Sequence, residues 1–161
     1  MRRVIAFALL LSWIPALCGC GFFRNDDAEG VSFYYRRSEF QYNSEENIIV
    51  AEDREISGHS DDLNYVLSLY LMGPLDEALV SPFFPGTRLY HASRAEDGTI
   101  TVILSSQDNL TDSYFSLASA CIALTCMDHF ETDAVSIISG QRSITMTRDS
   151  LLLQDIAEQQ E

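Results

Sequence analysis

The chain has 161 residues, a formal net charge of −14 and no lysine, so its ten basic residues are all arginines. With 47% hydrophobic and 11% aromatic residues, it has the composition of a globular protein and not of a disordered one. A surface this acidic repels phosphate backbones and anionic lipid headgroups, which disfavours nucleic-acid binding.

The first twenty residues have the order of an export signal. Arg2 and Arg3 precede an apolar run, 4–17, that is shorter than the about 20 residues a membrane-spanning helix needs. The run ends in Leu17-Cys18-Gly19-Cys20, which resembles the signal of bacterial lipoproteins. That resemblance implies cleavage between Gly19 and Cys20 and a diacylglycerol group on the Cys20 thiol. Ordinary cleavage at a small-residue site, without a lipid, remains the alternative.

The chain divides into four predicted parts. Residues 1–19 are the signal peptide, 20–30 an acidic tether, 31–147 a single domain and 148–161 a C-terminal tail. The ten residues that follow Cys20, 21–30, reach at most about 35 Å. We therefore expect the domain to lie close to the outer face of the cytoplasmic membrane, anchored by lipid.

The first half of the domain contains two predicted strands and one helix. Residues 31–36 are typical of a strand, and 47–56 indicate a second, charged strand at a sheet edge. Ser60 is the predicted cap of a helix that Gly73-Pro74 ends. Its apolar positions follow helical spacing and form one stripe: Leu63, Val66, Leu67, Tyr70 and Leu71. Residues 79–87 indicate a loop rich in proline.

The second half of the domain contains four predicted strands and one helix. A hairpin over 88–93 and 99–105 turns at Asp97-Gly98, and a helix follows from Thr111 or Asp112 to about Asp128. This helix has almost no polar face, so we expect it to be heavily buried. Strands over 134–139 and 143–147 follow, and 149–161 is a short helix or a frayed tail. The order β-β-α-β-β-α-β-β predicts an α+β fold with two helices on one mixed or antiparallel sheet of about five to six strands.

No catalytic, metal-binding or cofactor-binding motif is present. His59, His91 and His129 lack the spacing of ligands or of an acid–base pair. Cys121 and Cys126 point about 140° apart on one helix, which indicates buried, inert thiols and not a disulfide. We therefore expect no catalytic residue, metal or cofactor. A pair of carboxylates remains open as a catalytic site, since the chain has 24 acids.

The order of motifs over residues 31–147 resembles the GerMN domain of spore-germination and sporulation lipoproteins. The most specific part of the resemblance is the helix-to-hairpin segment, with Gly73-Pro74 followed by Pro82-Phe83-Phe84-Pro85-Gly86-Thr87. More general matches are Phe33-Tyr34-Tyr35, Asp53-Arg54-Glu55, 100–105 and 135–138. The resemblance implies an α+β domain without catalytic residues that acts through protein contacts outside the cytoplasm. Unlike some members, this chain has one copy of the domain.

Two functions follow as hypotheses. The first is a non-enzymatic, membrane-anchored lipoprotein that assembles with other envelope proteins or with itself, in sporulation or germination. The second is a small module that binds or hydrolyses cell-wall glycan or peptide. It requires a pocket where carboxylates meet an aromatic such as Tyr34, Tyr35 or Tyr90.

Overall fold

Residues 28–39 and 47–151 are described by a computed structural model. In chain order, its elements are β1 (Ala28–Arg37), β2 (Ile49–Ser57), α1 (Leu63–Leu71), β3 (Leu79–Val80), β4 (Leu89–Arg94), β5 (Ile100–Leu104), α2 (Asp112–His129), β6 (Ala134–Ser139), β7 (Arg142–Thr147) and α3 (Arg148–Leu151).

The strands form two sheets. The first has the order β2-β1-β3 and is antiparallel, while the second has the order β4-β5-β6-β7. In the second sheet β5 and β6 are parallel and α2 connects them, whereas the outer pairs are antiparallel. The predicted α+β class is confirmed. The expected single sheet is replaced by two, and the short strand β3 lies within the segment predicted as a loop.

Helix α2 explains why there are two sheets. It contacts β1 of the first sheet and both β6 and β7 of the second. A helix that is apolar on all sides needs cover on all sides, and one sheet covers only one face. The expected heavy burial of α2 is confirmed. Its deeply buried Thr125 has hydrogen-bond partners. The Thr125 hydroxyl donates to the Cys121 carbonyl at 3.1 Å and accepts from the Tyr34 backbone N–H at 3.0 Å.

An aromatic cluster fills the inner face of the first sheet. Val31, Phe33 and Tyr35 alternate along β1 and are fully buried, as the period of a strand requires. The rings of Tyr35 and Tyr70 stack with centroids 4.8 Å apart, and Phe83 meets Tyr70 edge-on. The apolar stripe predicted on α1 therefore packs where expected, with Val66, Leu67 and Tyr70 as its buried members.

The cap of α1 differs from the prediction. Asp62, and not Ser60, is the N-cap, and its carboxylate accepts from the backbone N–H groups of Asn64 and Tyr65 at 2.9 and 3.1 Å. The physical reason is reach. Only the residue directly before the first turn can place a side-chain oxygen on those two N–H groups. The predicted end holds, since Gly73 has φ +93° just after the last turn.

The second sheet follows its sequence pattern closely. Ile100, Val102 and Leu104 of β5 are buried, as their alternation predicts. The predicted hairpin of β4 and β5 is confirmed, and the predicted hairpin of β6 and β7 turns at Gly140-Gln141. The predicted helix is α2, with Thr111 as its N-cap.

Candidate interaction site

The predicted cleavage and lipidation residues, Gly19 and Cys20, lie outside the described residues, so both remain predictions. Within residues 28–39 and 47–151, no helix combines the length and the hydropathy that crossing a bilayer requires.

Two of the three histidines make structural contacts, His91 is exposed on β4, and the two thiols of the described residues are buried. The Nε2 atom of His129 lies 2.6 Å from the Ser60 carbonyl, and the ring of His59 contacts Tyr65. Cys121 and Cys126 are free and buried, as predicted, and burial raises the pKa of each thiol to about 12. Such thiols stay protonated at neutral pH and are poor nucleophiles. Over the same ranges, no group of three His, Cys, Asp or Glu side chains is placed to hold a metal ion.

An ion pair lies on the inward face of β2. Alternation along β2 places Glu52 and Arg54 on the same side as the buried Ile56, and their side chains are only 11% and 13% exposed. Arg54 Nε donates to Glu52 Oε2 at 2.6 Å. The guanidinium carbon also lies 4.9 Å from the centroid of the Phe33 ring and 5.5 Å from that of Tyr35. The Asp53-Arg54-Glu55 element thus sends its arginine inward and its two acids into solvent.

This ion pair fixes the loop that follows α1. Arg54 Nη2 donates to the Gly73 carbonyl at 2.8 Å. Glu52 Oε1 accepts from the backbone N–H groups of Leu75 and Asp76 at 2.8 and 2.7 Å. Besides bonding to each other, both charged groups form hydrogen bonds with the backbone of this loop, which is typical of a structural ion pair.

Next to this loop lies an open groove of about 510 Å³ between β2 and α1. Its rim carries two strongly exposed apolar side chains, Met72 at 80% and Leu75 at 77%. Two further grooves, of about 210 and 360 Å³, lie side by side and share Tyr34, Leu124 and Leu151 in their lining.

These two grooves bear on the second hypothesis, a module for cell-wall material, which requires a pocket where carboxylates meet an aromatic side chain. Tyr34 Oη donates to Asp128 Oδ2 at 3.4 Å, and burial together with Asp128 raises the pKa of Tyr34. The grooves therefore bring one carboxylate to an aromatic, and their other lining is mostly apolar. Tyr35 is fully buried and Tyr90 is exposed on β4, so neither lines these grooves.

The outer strands of the two sheets differ in how their backbone is protected. On β4, the Asn64 side chain of α1 donates to the Ala92 carbonyl at 3.0 Å and accepts from the Ala92 N–H at 2.8 Å. A bulge at Tyr90 further interrupts this strand. Strand β3 has only two residues, and β2 carries the exposed acids Asp53 and Glu55. Short length, bulges, charges and helical cover are all known means of preventing a strand from pairing with another chain.

Strand β7 has none of these protections between its two flanking arginines. Its exposed side chains are Ser143, Thr145 and Thr147, and residues 143–147 contain no charge and no proline. We call the outward side of residues 143–145 the β7 edge. It is the candidate interaction site of the described residues. Sequence patterns predicted β7 as a strand but gave no signal that it is outermost, because neighbour order depends on the whole sheet.

No family profile and no curated protein sequence matches this chain at a significant level. Among solved structures, the chain is similar to the tandem GerMN domains of the sporulation protein GerM from Bacillus subtilis, with a TM-score of 0.54 and 17% identity. That match covers 72% of this chain and 40% of the other, so this chain spans less than half of that structure. A candidate lipoprotein from Clostridium perfringens aligns with a TM-score of 0.47 and 14% identity over 76% of this chain and 89% of its own. The chain described here has the fold of a GerMN domain.

Proposed function

We propose that this protein is a lipid-anchored extracytoplasmic protein whose single GerMN-like domain acts through protein contacts, in sporulation or germination. The observation that carries the proposal is the fold it shares with GerMN domains of a sporulation protein. The lipoprotein-type signal supplies the location, and the β7 edge supplies a surface for contacts. The proposal includes no catalytic residue.

The anchor is tested by replacing the predicted lipidation residue. Cys20→Ser should release the protein from membranes or leave its signal uncleaved, because serine lacks the thiol that takes up the lipid. Cys18→Ser is the matched control: it changes the same atom two residues away and should leave membrane retention intact. Lipid anchoring would be contradicted if both variants stayed equally in the membrane and mass spectrometry of the wild-type protein showed an unmodified amino terminus.

The assembly role is tested by cross-linking in intact cells followed by capture of the full-length protein. We expect the captured protein to be cross-linked to a defined envelope protein or to a second copy of the chain. A protein that is monomeric and captures nothing reproducible under these conditions would refute the assembly role, whether or not Cys20 is lipidated.

A second function is favoured by one observation, the meeting of Tyr34 and Asp128 in an apolar groove. A tyrosine beside a carboxylate is a common way to bind a sugar or a peptide amide. If the protein recognises wall material there, purified protein should bind wall fragments and Asp128→Asn should weaken that binding. Exposed Asp149→Asn, at the start of α3, serves as the control. Absence of binding and of turnover removes this function.

A further inference from the structure

We propose that the β7 edge pairs with the β7 edge of a second copy of this chain, antiparallel and about a two-fold axis at Ile144. The inference rests on the proposed function in naming both the partner and the surface of the contact. It follows from which backbone groups point outward, from the register they permit and from the side chains that this register brings together.

The outward groups can be read from the hydrogen bonds at the end of β7. The Arg148 N–H reaches β6 through the Asp133 carbonyl at 3.3 Å, whereas the Thr147 N–H points away and donates to Ser150 Oγ at 2.9 Å. Backbone groups alternate sides along an antiparallel strand. The N–H and C=O groups of Ser143 and Thr145 therefore point away from β6. Within 28–39 and 47–151, none of these groups has a hydrogen-bond partner outside the strand.

Those groups select one register. When Ile144 faces Ile144 of the second copy, Ser143 lies opposite Thr145 and the two residues exchange both of their backbone hydrogen bonds. Shifting the axis to Thr145 would place Ser143 opposite Thr147, whose N–H is already used by Ser150. The Ile144 register pairs every outward N–H and C=O group of Ser143 and Thr145, and it places only Gln141 of the β6–β7 turn opposite Thr147.

The side chains agree with this register. Ile144 and Met146 lie on the face of β7 that packs against α2, half-buried and buried respectively, so the contact between two Ile144 side chains would extend the apolar layer of the second sheet. On the other face, Ser143 meets Thr145, which allows a hydroxyl pair. No acid lies in residues 142–147, so this edge avoids the charge repulsion expected elsewhere on a chain of net charge −14.

Site-directed disulfides in the full-length, membrane-bound protein test the register. At a non-hydrogen-bonded pair, two Ile144 Cα atoms would be about 4.5 Å apart, which a disulfide can span. We expect mild oxidation of Ile144→Cys to give a reducible covalent dimer. Thr145→Cys is the matched control, since its two Cα atoms would be about 8 Å apart and should give about tenfold less dimer.

A proline variant tests the pairing without a thiol. Thr145→Pro removes an N–H that points outward and leaves the β6–β7 backbone hydrogen bonds intact. It also loses the exposed hydrogen bond from Thr145 Oγ1 to Ser136 Oγ at 3.3 Å, so the melting temperature of the monomer should fall only slightly. The variant should sediment as a monomer in mild detergent, where the wild-type protein sediments as a dimer.

The outcomes distinguish the register of the pairing from self-pairing itself, and self-pairing from the proposed assembly role. Dimer from Thr145→Cys equal to that from Ile144→Cys overturns the register, and dimer from neither overturns self-pairing. A monomeric wild-type protein that cross-links at Thr145 to a different protein also overturns self-pairing, yet leaves the proposed assembly role standing. Cys20→Ser fractionation is scored separately, so the anchor and the dimer can fail independently.

Discussion

The two sheets are stabilised by different kinds of interaction. The first sheet has an aromatic inner face, a nearly buried ion pair and outer strands that are charged or very short. The second has an aliphatic inner face of alternating strands, one outer strand covered by α1 and one open. The first sheet therefore depends on a few specific polar contacts, while the second depends on pattern and leaves its open strand available for contact.

The largest expected effect tests the dependence of the first sheet on its ion pair. Arg54→Met should destabilise the protein by about 3–5 kcal/mol, because it leaves the Glu52 carboxylate nearly buried and without its cation. Arg88→Met removes the same charge from an exposed position and should cost less than about 0.5 kcal/mol. Chemical denaturation measures both. Equal losses would mean that the ion pair adds nothing to the first sheet.

A smaller effect is expected at the turn that leads into β7. Gly140 has φ +61°, and a Cβ added there would lie 2.7 Å from Ser106 Oγ. Gly98 also has positive φ, but a Cβ there would meet nothing closer than 4.0 Å. Gly140→Ala should therefore cost about 2 kcal/mol and Gly98→Ala about 1 kcal/mol. Melting curves of the two variants isolate the close contact from the backbone strain that both share.

Equal destabilisation by the two alanines would show that Ser106 moves aside freely. The second sheet would then tolerate a side chain at the β6–β7 turn, and the close approach of Gly140 to Ser106 would add nothing to the cost of the substitution.

The smallest effect separates two tyrosines of the aromatic cluster. Tyr35 Oη donates to the Tyr70 carbonyl at 2.8 Å, whereas Tyr70 Oη is buried without a partner among the described residues. Tyr35→Phe should lower the free energy of unfolding by about 1 kcal/mol, and Tyr70→Phe should raise it by about 1 kcal/mol. Opposite signs in thermal unfolding would confirm that hydroxyl pairing matters in this cluster; losses of the same sign would contradict it.

Local pattern was enough to predict most elements. The α1 stripe, the two hairpins of the second sheet and the buried face of β5 follow from periods of 3.6 and 2, which neighbours along the chain supply. The burial of α2 also followed from its composition. What composition could not supply was how many sheets cover it, since that depends on contacts between residues far apart in sequence.

The polar contacts that fix the loop after α1 and cover β4 were harder to predict. Arg54 and Glu52 read as charges of a solvent-exposed edge, yet alternation with Ile56 turns both inward. Asn64, in the first turn of α1, covers the β4 backbone, a role that the sequence analysis did not identify. Alternation indicates that Arg54 and Glu52 point inward, but the backbone groups that these side chains and Asn64 contact lie at least 19 residues away in the chain, so no local pattern reveals those contacts.

The most direct test of protein contact through β7 compares two outer strands in living cells. A photo-cross-linking residue at Thr145 of β7 and one at Asp53 of β2 probe exposed positions on the open and the charged strand, one in each sheet. We expect covalent adducts, to a second copy or to an envelope protein, from Thr145 and none from Asp53. Adducts from Asp53 with none from Thr145 would contradict it.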